Sequence, residues 1–330
     1  MTAWQRLVLN SLLFVFATAI SFGAAELGAR LLGYEPFAPA AGGTDEEHHV
    51  AHWARFDDSI GWINKPGVRQ LHSNGWFTIL RDGSRITRRN EAISADSHIV
   101  VVGDSYSQGA GVGDEDTYAW GLQSRFPRHD VRNFGTGGYG AYQSSLALER
   151  FFEANEKPVK IVIFGFGDYL LTRDRATSIQ VSSIRLSGMT RAFIPPHMDL
   201  IDGRFLEFEG VYHRAWAITL YSAFANLIQD TIIKRIERPT DNFSETTERV
   251  FFEAILRIKR VAERNGAKFV LAILRVNEKR RAKYIRKFEA ADIHYVDCSP
   301  SNIPFAHPDP FWHRRHADCI GDFVEPMVRK

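Results

Sequence analysis

Apolar residues in the central and carboxyl-terminal parts of the chain fall into short strand-like runs. The runs lie at 99–102, 130–134, 160–164, 268–274 and 293–296, and the first of them is entirely β-branched. Short apolar runs of this kind are typical of parallel strands that are buried on both faces of a sheet. Stretches with apolar residues at helical spacing, such as 245–264, lie between them. The alternation predicts a three-layer, flavodoxin-like α/β fold with a doubly wound, mostly parallel sheet of about five strands.

The amino-terminal segment is apolar in a different way, because residues 7–25 form a run of nineteen positions without a charged side chain. At about 1.5 Å per residue, a helix of this length nearly crosses a hydrocarbon core of roughly 30 Å. We expect residues 1–34 to be a cytoplasmic tip and a retained membrane anchor, with Arg6 holding the amino end in the cytoplasm and the rest periplasmic or otherwise extracytoplasmic. A cleavable signal peptide is the alternative, because Gly-Ala-Ala at 23–25 suits signal peptidase, and the protein would then be secreted.

Residues 35–47 are rich in Ala, Pro and Gly, which predicts a tether between the anchor and the domain. The α/β domain is expected over 48–330. Its alternation of strand and helix stops between about 174 and 244, where we expect an inserted hairpin at 200–208 and a long helix at 214–235.

Charge and cysteine content narrow the classes of function. With 41 Lys and Arg against 39 Asp and Glu, the net charge is +2, so the chain offers no large basic field for nucleic acid. Its two cysteines, Cys298 and Cys319, could form a disulfide in an oxidising compartment or could be buried free thiols. Cysteine and histidine spacing of the zinc-binding type is missing, so neither a metal nor a cofactor is expected.

The chemically informative residues follow the ends of the predicted strands, where open α/β sheets bind their ligands. Ser105 comes directly after the run 99–102, in a Gly-Asp-Ser turn that leads toward a helix. It is a candidate nucleophile, although Asp104 and Ser105 could instead cap the next helix. Glycine-rich loops follow at 133–140 and 165–168, and an Asp-to-His segment follows at 309–313. Ester cleavage by serine needs a base, a group that orients the base, and donors for developing negative charge, and all these residue types are present.

In combination, these motifs resemble the SGNH or GDSL-type esterases and acyltransferases. The resemblance rests on GDS at 103–105, NFGTGGYG at 133–140, GFGD at 165–168 and the Asp-to-His segment before the last helix. It covers most of residues 50–330 apart from the insertion, and 56–68 looks like the approach segment of membrane-anchored members.

The resemblance implies a role for each matching position. Ser105 would be the nucleophile, with its own N–H as one oxyanion donor and Gly138 as the second. His313 would be the general base and Asp309 its orienting carboxylate, because the last helix is expected to begin near Arg314. Other candidates stay open, namely His307 and His316 for the base and Asp297 for the carboxylate. Gly135, Gly137 and Gly140 could simply permit positive φ in the turn.

Two positions depart from the family pattern. Gly167 stands where the family usually places an oxyanion-binding Asn, and a lost donor of this kind typically costs on the order of 10²–10³ in rate. Arg173 or Asn133 could substitute for it. Asp309 lies four residues before His313, whereas three is usual in the family.

Further side chains beside these loops are candidate substrate contacts, namely Asp104, Asn133, Asp168, Arg173 and Trp312. Phe166, Tyr169 and Trp312 could form a sugar-stacking wall or could be ordinary packing. The resulting hypothesis is a membrane-anchored serine esterase or O-acyltransferase that acts on an acyl ester, such as an acetyl ester, of a cell-surface or exported glycan. The alternative is a protein of the same fold that binds or assembles glycans with little or no turnover, which Gly167 motivates.

Overall fold

The structure is a computed structural model, and it describes residues 2–36, 53–89, 95–177, 180, 193–212, 217–237, 243–300 and 307–329. The predicted tether at 35–47 lies outside the described residues except for its first two positions. The helices, in chain order, are α1 (Ala3–Leu31), α2 (Ser105–Gln108), α3 (Tyr118–Arg125), α4 (Ala141–Ala154), α5 (Ala223–Glu237), α6 (Glu245–Arg264), α7 (Glu278–Ala290) and α8 (Pro310–Val328).

The strands follow the same order along the chain. They are β1 (Ala54–Asp57), β2 (Gly61–Asn64), β3 (Arg69–His72), β4 (Gly75–Thr78), β5 (His98–Gly103), β6 (Asp130–Asn133), β7 (Val159–Gly167), β8 (Phe193–Ile194), β9 (His197–Ile201), β10 (Arg204–Phe208), β11 (Val211–Tyr212), β12 (Lys268–Arg275) and β13 (Tyr295–Asp297).

Five of these strands form the central sheet, in the order β13-β12-β7-β5-β6, and every neighbouring pair is parallel. Numbered from β5, this is the flavodoxin-like order 2-1-3-4-5, so the predicted fold class is confirmed. The chain reverses direction across the sheet between β5 and β7. Ligands of such folds bind beyond the carboxyl ends of the strands at this point, which is where Ser105 lies.

The sheet is covered by helices on both faces. Along β5, Val100 and Val102 belong to the core under α4, α6 and α7, whereas Ile99 and Val101 belong to the core under α3 and α8. All four side chains are fully buried. Because side chains alternate along a strand, an apolar run without polar interruption is what a sheet between two helical layers requires.

Two antiparallel hairpins precede the sheet. The first pairs β1 with β2, and its Trp62 packs edge-on against Tyr139 with ring centroids 5.6 Å apart. The second pairs β3 with β4. The sequence predicts strand-like pieces at 77–80 and 85–87. Phe77 and Thr78 end β4, whereas Ile79 and Arg85 form only an isolated bridge. The Arg85 N–H instead donates to the Asn133 carbonyl at the edge of the main sheet, 2.8 Å away.

The insertion contains the predicted hairpin, since β9 and β10 pair around Asp202 and Gly203. Its α-helix begins at Ala223, later than the expected 214. Glu26 of α1 caps this helix, because its carboxylate accepts hydrogen bonds from the Ser222 hydroxyl and from the Ala223 and Phe224 amides at 2.7–3.0 Å. A short strand pair, β8 with β11, completes the described part of the insertion.

Helix α1 is 29 residues long, predominantly apolar and almost entirely exposed. Among the described residues it is the one helix that is long and apolar enough to cross a membrane, a test that a signal sequence also passes.

Cys298 and Cys319 form a disulfide, so the bridged alternative is the correct one. The bond joins the end of β13 to the middle of α8. The segment between the two cysteines contains every histidine considered for the general base.

Candidate active site

Ser105 occupies a tight turn between β5 and the short helix α2. Gly103 has a φ of +144°, and a Cβ at this position would come within 2.5 Å of the Ser107 hydroxyl. The turn therefore requires glycine. Asp104 is the N-cap of α2 and accepts a hydrogen bond from the Tyr106 amide at 3.0 Å. The capping interpretation and the nucleophile interpretation are thus compatible, because Asp104 caps the helix while Ser105 remains partly exposed.

His307 is the histidine that contacts the serine. Its Nε2 atom lies 2.9 Å from the Ser105 hydroxyl, within hydrogen-bond distance. Burial lowers the pKa of His307, the Asp104 charge opposes that effect, and the Arg173 and Arg275 charges add to it. The imidazole is therefore neutral at neutral pH, which is the form that can accept a proton from a nucleophile.

The prediction of His313 as the base is wrong in this geometry. His313 is fully buried, its Nδ1 accepts the Tyr118 amide at 3.2 Å, and its Nε2 has no hydrogen-bond partner among the described residues. Helix α8 begins at Pro310 rather than near Arg314, so His313 lies within the first turn and faces the core. Burial lowers its pKa to about 3. His316, one turn further, is equally buried.

The predicted carboxylate, Asp309, does not orient the base either. It is the N-cap of α8, and its side chain accepts the Trp312 amide at 3.0 Å. Asp297, the alternative, accepts hydrogen bonds from Ser299 and lies 3.3 Å from Arg281. Within the described ranges no carboxylate is hydrogen-bonded to His307, and Asp104 is the acid whose charge acts on its ring.

Asp104 is the centre of a buried polar network behind Ser105. Its carboxylate lies 3.1 Å from Arg173 Nη1 and 3.4 Å from the Ser105 hydroxyl, and it also bonds to Tyr169. Arg173 donates a second hydrogen bond to the Tyr139 carbonyl at 2.9 Å. The expectation that Asp104 and Arg173 lie beside Ser105 therefore agrees with the geometry.

The space beside Gly167 is filled by Tyr169. A Cβ at Gly167 would overlap the Tyr169 ring, so no larger residue fits there in this conformation. The guanidinium groups of Arg173 and Arg275 lie 5.2 and 5.7 Å from the centroid of this ring. Burial raises the pKa of the Tyr169 hydroxyl well above its usual value, so the phenol is a neutral donor. Sequence spacing carries no signal for this contact, because the contact depends on the path of the chain after β7.

In the glycine-rich turn after β6, different glycines are required for different structural reasons. Gly138 has a φ of +84°, which favours glycine, and its carbonyl accepts a hydrogen bond from Gln180 at 3.2 Å. Gly137 allows the Trp53 ring to approach, since a Cβ there would lie 2.9 Å from it. The role of the Gly138 amide as an oxyanion donor stays a prediction.

Asn133 does not have the predicted role of substrate contact or oxyanion donor. It is fully buried, its amide nitrogen donates to the Ser107 carbonyl at 2.8 Å, and its amide oxygen accepts the Gly135 N–H at 3.0 Å. Both ends of the side chain are therefore used to tie the turn after β6 to helix α2.

Two further predicted contacts are engaged elsewhere. Asp168 accepts the Asn277 amide at 3.2 Å and so stabilises the start of α7. Trp312 packs against Phe311 and the Arg315 guanidinium on the first turns of α8. The proposed aromatic wall does not form either, because Phe166 is fully buried among core rings. Across the described ranges, no cluster of three or more His, Cys, Asp or Glu could hold a metal ion.

No family model and no curated protein matches this chain. Its fold is similar to that of a lipolytic protein of the G-D-S-L family from Veillonella parvula, with 10% identity, 71% of this chain and 99% of that chain covered, and a TM-score of 0.39. A putative lipolytic protein of the same family from Desulfitobacterium hafniense is 14% identical, with 69% and 99% covered and a TM-score of 0.36. The roles of individual residues therefore rest on the geometry above.

Proposed function

We propose that the protein is a serine ester hydrolase in which Ser105 is the nucleophile and His307 the general base. The observation that carries the proposal is the 2.9 Å separation of His307 Nε2 and the Ser105 hydroxyl at the switch point of the sheet. The lowered pKa of His307 supports it, because a neutral imidazole is available to take the proton.

In the proposed mechanism, the Ser105 oxygen attacks the acyl carbonyl while its proton passes to His307 Nε2. The imidazolium then formed is stabilised by the negative charge of Asp104. Asp309, the carboxylate expected from the sequence, is not hydrogen-bonded to His307. The tetrahedral oxyanion accepts hydrogen bonds from the Ser105 and Gly138 amides, and Arg173 adds positive charge close by. His307 returns the proton to the leaving alcohol, and an acyl-enzyme on Ser105 remains.

The second half of the reaction uses the same groups in reverse. His307 takes a proton from the acceptor as the acceptor attacks the acyl carbonyl, and it then gives that proton to the Ser105 oxygen as the acyl–Ser105 bond breaks. Water as the acceptor gives hydrolysis, whereas a sugar hydroxyl gives O-acyl transfer. We propose an acyl ester, such as an acetyl ester, of a cell-surface or exported glycan as the substrate, which the extracytoplasmic location proposed below supports.

We further propose that α1 is retained as an anchor with the domain on the extracytoplasmic side. The continuous helix through residues 23–25 and the bonds of Glu26 to α5 support retention. The disulfide supports an oxidising compartment. A mature amino terminus at Glu26, read by mass spectrometry of the cell-derived protein, would contradict this part of the proposal.

The decisive experiment is hydrolysis of p-nitrophenyl acetate by the full chain in detergent, compared with Ser105→Ala. We expect the substitution to abolish turnover above background and to abolish labelling by a fluorophosphonate probe. Equal hydrolysis by the two proteins would rule out the serine mechanism. A folded wild-type protein that neither turns over nor takes the label would favour the alternative function, a glycan-binding protein without turnover, which the Tyr169 ring beside Gly167 motivates.

A further inference from the structure

A cavity of about 320 Å³ lies between the β3–β4 hairpin and the chain that follows Ser105. We call it the hairpin cavity. Its walls include the rings of Trp53, His72 and Phe77, and its polar groups include the side-chain amides of Asn74 and Gln108. None of these residues takes part in the reaction proposed above.

The hairpin cavity borders the candidate active site at two places. Gly111 lines it, and a Cβ at Gly111 would lie 3.8 Å from the Cβ of His307. Trp53 packs against Gly137, the neighbour of the proposed oxyanion donor Gly138. A ligand in the cavity would therefore lie beside an ester bound between Ser105 and its oxyanion donors.

The aromatic walls are held in position rather than loosely exposed. Phe77 is half-buried, and the fully buried Arg85 guanidinium covers it at 4.6 Å from the ring centroid. Arg85 also donates to the Gln108 and Val112 carbonyls at 2.8 and 2.7 Å, so one side chain fixes the ring and the floor of the cavity together. Asn74 ties the hairpin to the same floor through the Gly111 carbonyl at 2.8 Å.

The lining favours one ligand chemistry. A sugar ring has an apolar C–H face that packs on aromatic rings, and hydroxyl groups that pair with side-chain amides. A long acyl chain would bury the exposed Asn74 amide beside hydrocarbon, which costs free energy. An anionic sugar would need a cation, and none of the described residues that line the cavity is Lys or Arg.

We propose that the hairpin cavity is a binding site for a neutral sugar residue of the substrate, next to the residue that carries the ester. This inference rests on the proposed function for its place in the reaction, but binding itself does not require turnover. Trp53 and Phe77 would provide the stacking faces. The amide nitrogens of Asn74 and Gln108 already donate to Gly111 and Asn64, so their amide oxygens would accept hydrogen bonds from the sugar hydroxyls.

The test is isothermal titration of the full-length Ser105→Ala protein in detergent with mannopentaose, cellopentaose, chitopentaose and, as the anionic comparison, pentagalacturonate. We expect at least one neutral pentasaccharide to bind, with a Kd on the order of 10 µM to 1 mM, and to bind more tightly than pentagalacturonate. Trp53→Ala and Phe77→Leu, each in the same background, should weaken that binding at least tenfold. Phe77→Leu retains an apolar side chain while removing the aromatic face, so it covers the case in which Trp53→Ala does not fold.

Trp76→Ala is the matched control, because Trp76 is the neighbour of Phe77 on the same strand and so projects to the opposite face of the hairpin. It is 44% exposed and stacks with Arg69. Its loss should leave sugar binding within twofold of the parent. No binding by any neutral sugar, equal weakening by Trp76→Ala, unchanged binding in folded Phe77→Leu, or tighter binding of pentagalacturonate would each overturn the proposal.

Turnover separates this proposal from the proposed function. In protein with Ser105 intact, kcat/KM is measured for two substrates, an acetylated form of the bound oligosaccharide and p-nitrophenyl acetate. Phe77→Leu should lower the ratio of the first value to the second at least tenfold. Sugar binding without hydrolysis of either ester would refute the serine mechanism and leave the sugar site standing. Hydrolysis of p-nitrophenyl acetate without sugar binding would refute the sugar site and leave the serine mechanism standing.

Discussion

His307 and His313 lie six residues apart on the same segment, yet their surroundings are opposite. His307 precedes helix α8, is partly open to solvent, and has one ring nitrogen 2.9 Å from Ser105. His313 lies inside the first turn of α8, is fully buried, and accepts a backbone amide. The difference shows that the start of one helix decides which histidine meets the nucleophile and which one becomes part of the core.

The largest expected effect comes from replacing each of the two histidines by alanine in a separate variant. His307→Ala should lower kcat/KM for p-nitrophenyl acetate by about 10³-fold or more, because the serine loses its base. His313→Ala should lower it less than tenfold while reducing the melting temperature, since a buried ring is removed. Steady-state kinetics and thermal melts of both variants check the pair. Greater loss of activity in a folded His313→Ala protein would reverse the assignment.

The next effect concerns stability rather than rate. Burial lowers the pKa of His313 to about 3 and that of His316 to about 4, from an ordinary value of 6.5. At pH values between the lowered folded pKa and the ordinary unfolded pKa, the two histidines are protonated in the unfolded chain but neutral in the fold. The free energy of unfolding therefore decreases as pH falls below about 6.5. From pH 7.5 to pH 5 the wild type should lose about 2 kcal/mol more unfolding free energy than His316→Leu. Urea unfolding at both pH values measures this, and equal losses would contradict the buried neutral state.

A smaller effect is expected at Arg173, whose guanidinium lies 3.1 Å from Asp104 and 5.2 Å from the Tyr169 ring. Arg173→Met should lower kcat about 10- to 100-fold, because the site loses positive charge near the developing oxyanion. Arg173→Lys should recover part of the loss. If the methionine and lysine variants are equally impaired while remaining folded, shape rather than charge is the contribution of Arg173.

The smallest effect is a shift in the pH profile. The base must be neutral, so kcat/KM should fall as pH decreases through the pKa of His307, which burial and two arginines place below its ordinary value of 6.5. Removing the Arg173 charge raises that pKa, so the acid limb of Arg173→Met should move to higher pH by less than about one unit. An acid limb above pH 6.5 in the wild type, or a shift in the opposite direction, would contradict the assignment of His307.

The parts of the fold with local signals are predictable from the sequence. Helix α6 spans 245–264 as its pattern indicates, with Ser244 as N-cap and Gly266 just beyond its end. The β-branched run at 99–102 forms the central strand β5. Asp309 followed by Pro310 is itself a helix-start signal, and this signal places His313 inside the helix.

The rest depends on contacts between distant parts of the chain. The β3–β4 hairpin is fixed from outside its own sequence, through the bond of Asn74 to Gly111 and the stacking of Arg85 on Phe77. The Tyr169 ring lies against Gly167 because of the path that the chain takes after β7. No single stretch of sequence contains that information.

The disulfide between Cys298 and Cys319, which are separated by 21 positions in sequence, closes a covalent ring that includes His307. A protease that cuts one peptide bond inside this ring does not separate the pieces. The fragment that ends at the cut stays joined to α8 through the disulfide. A nicked molecule therefore keeps His307 covalently attached until the sulfur–sulfur bond is reduced. The ring thus makes cleavage of the backbone and loss of the base two separate events.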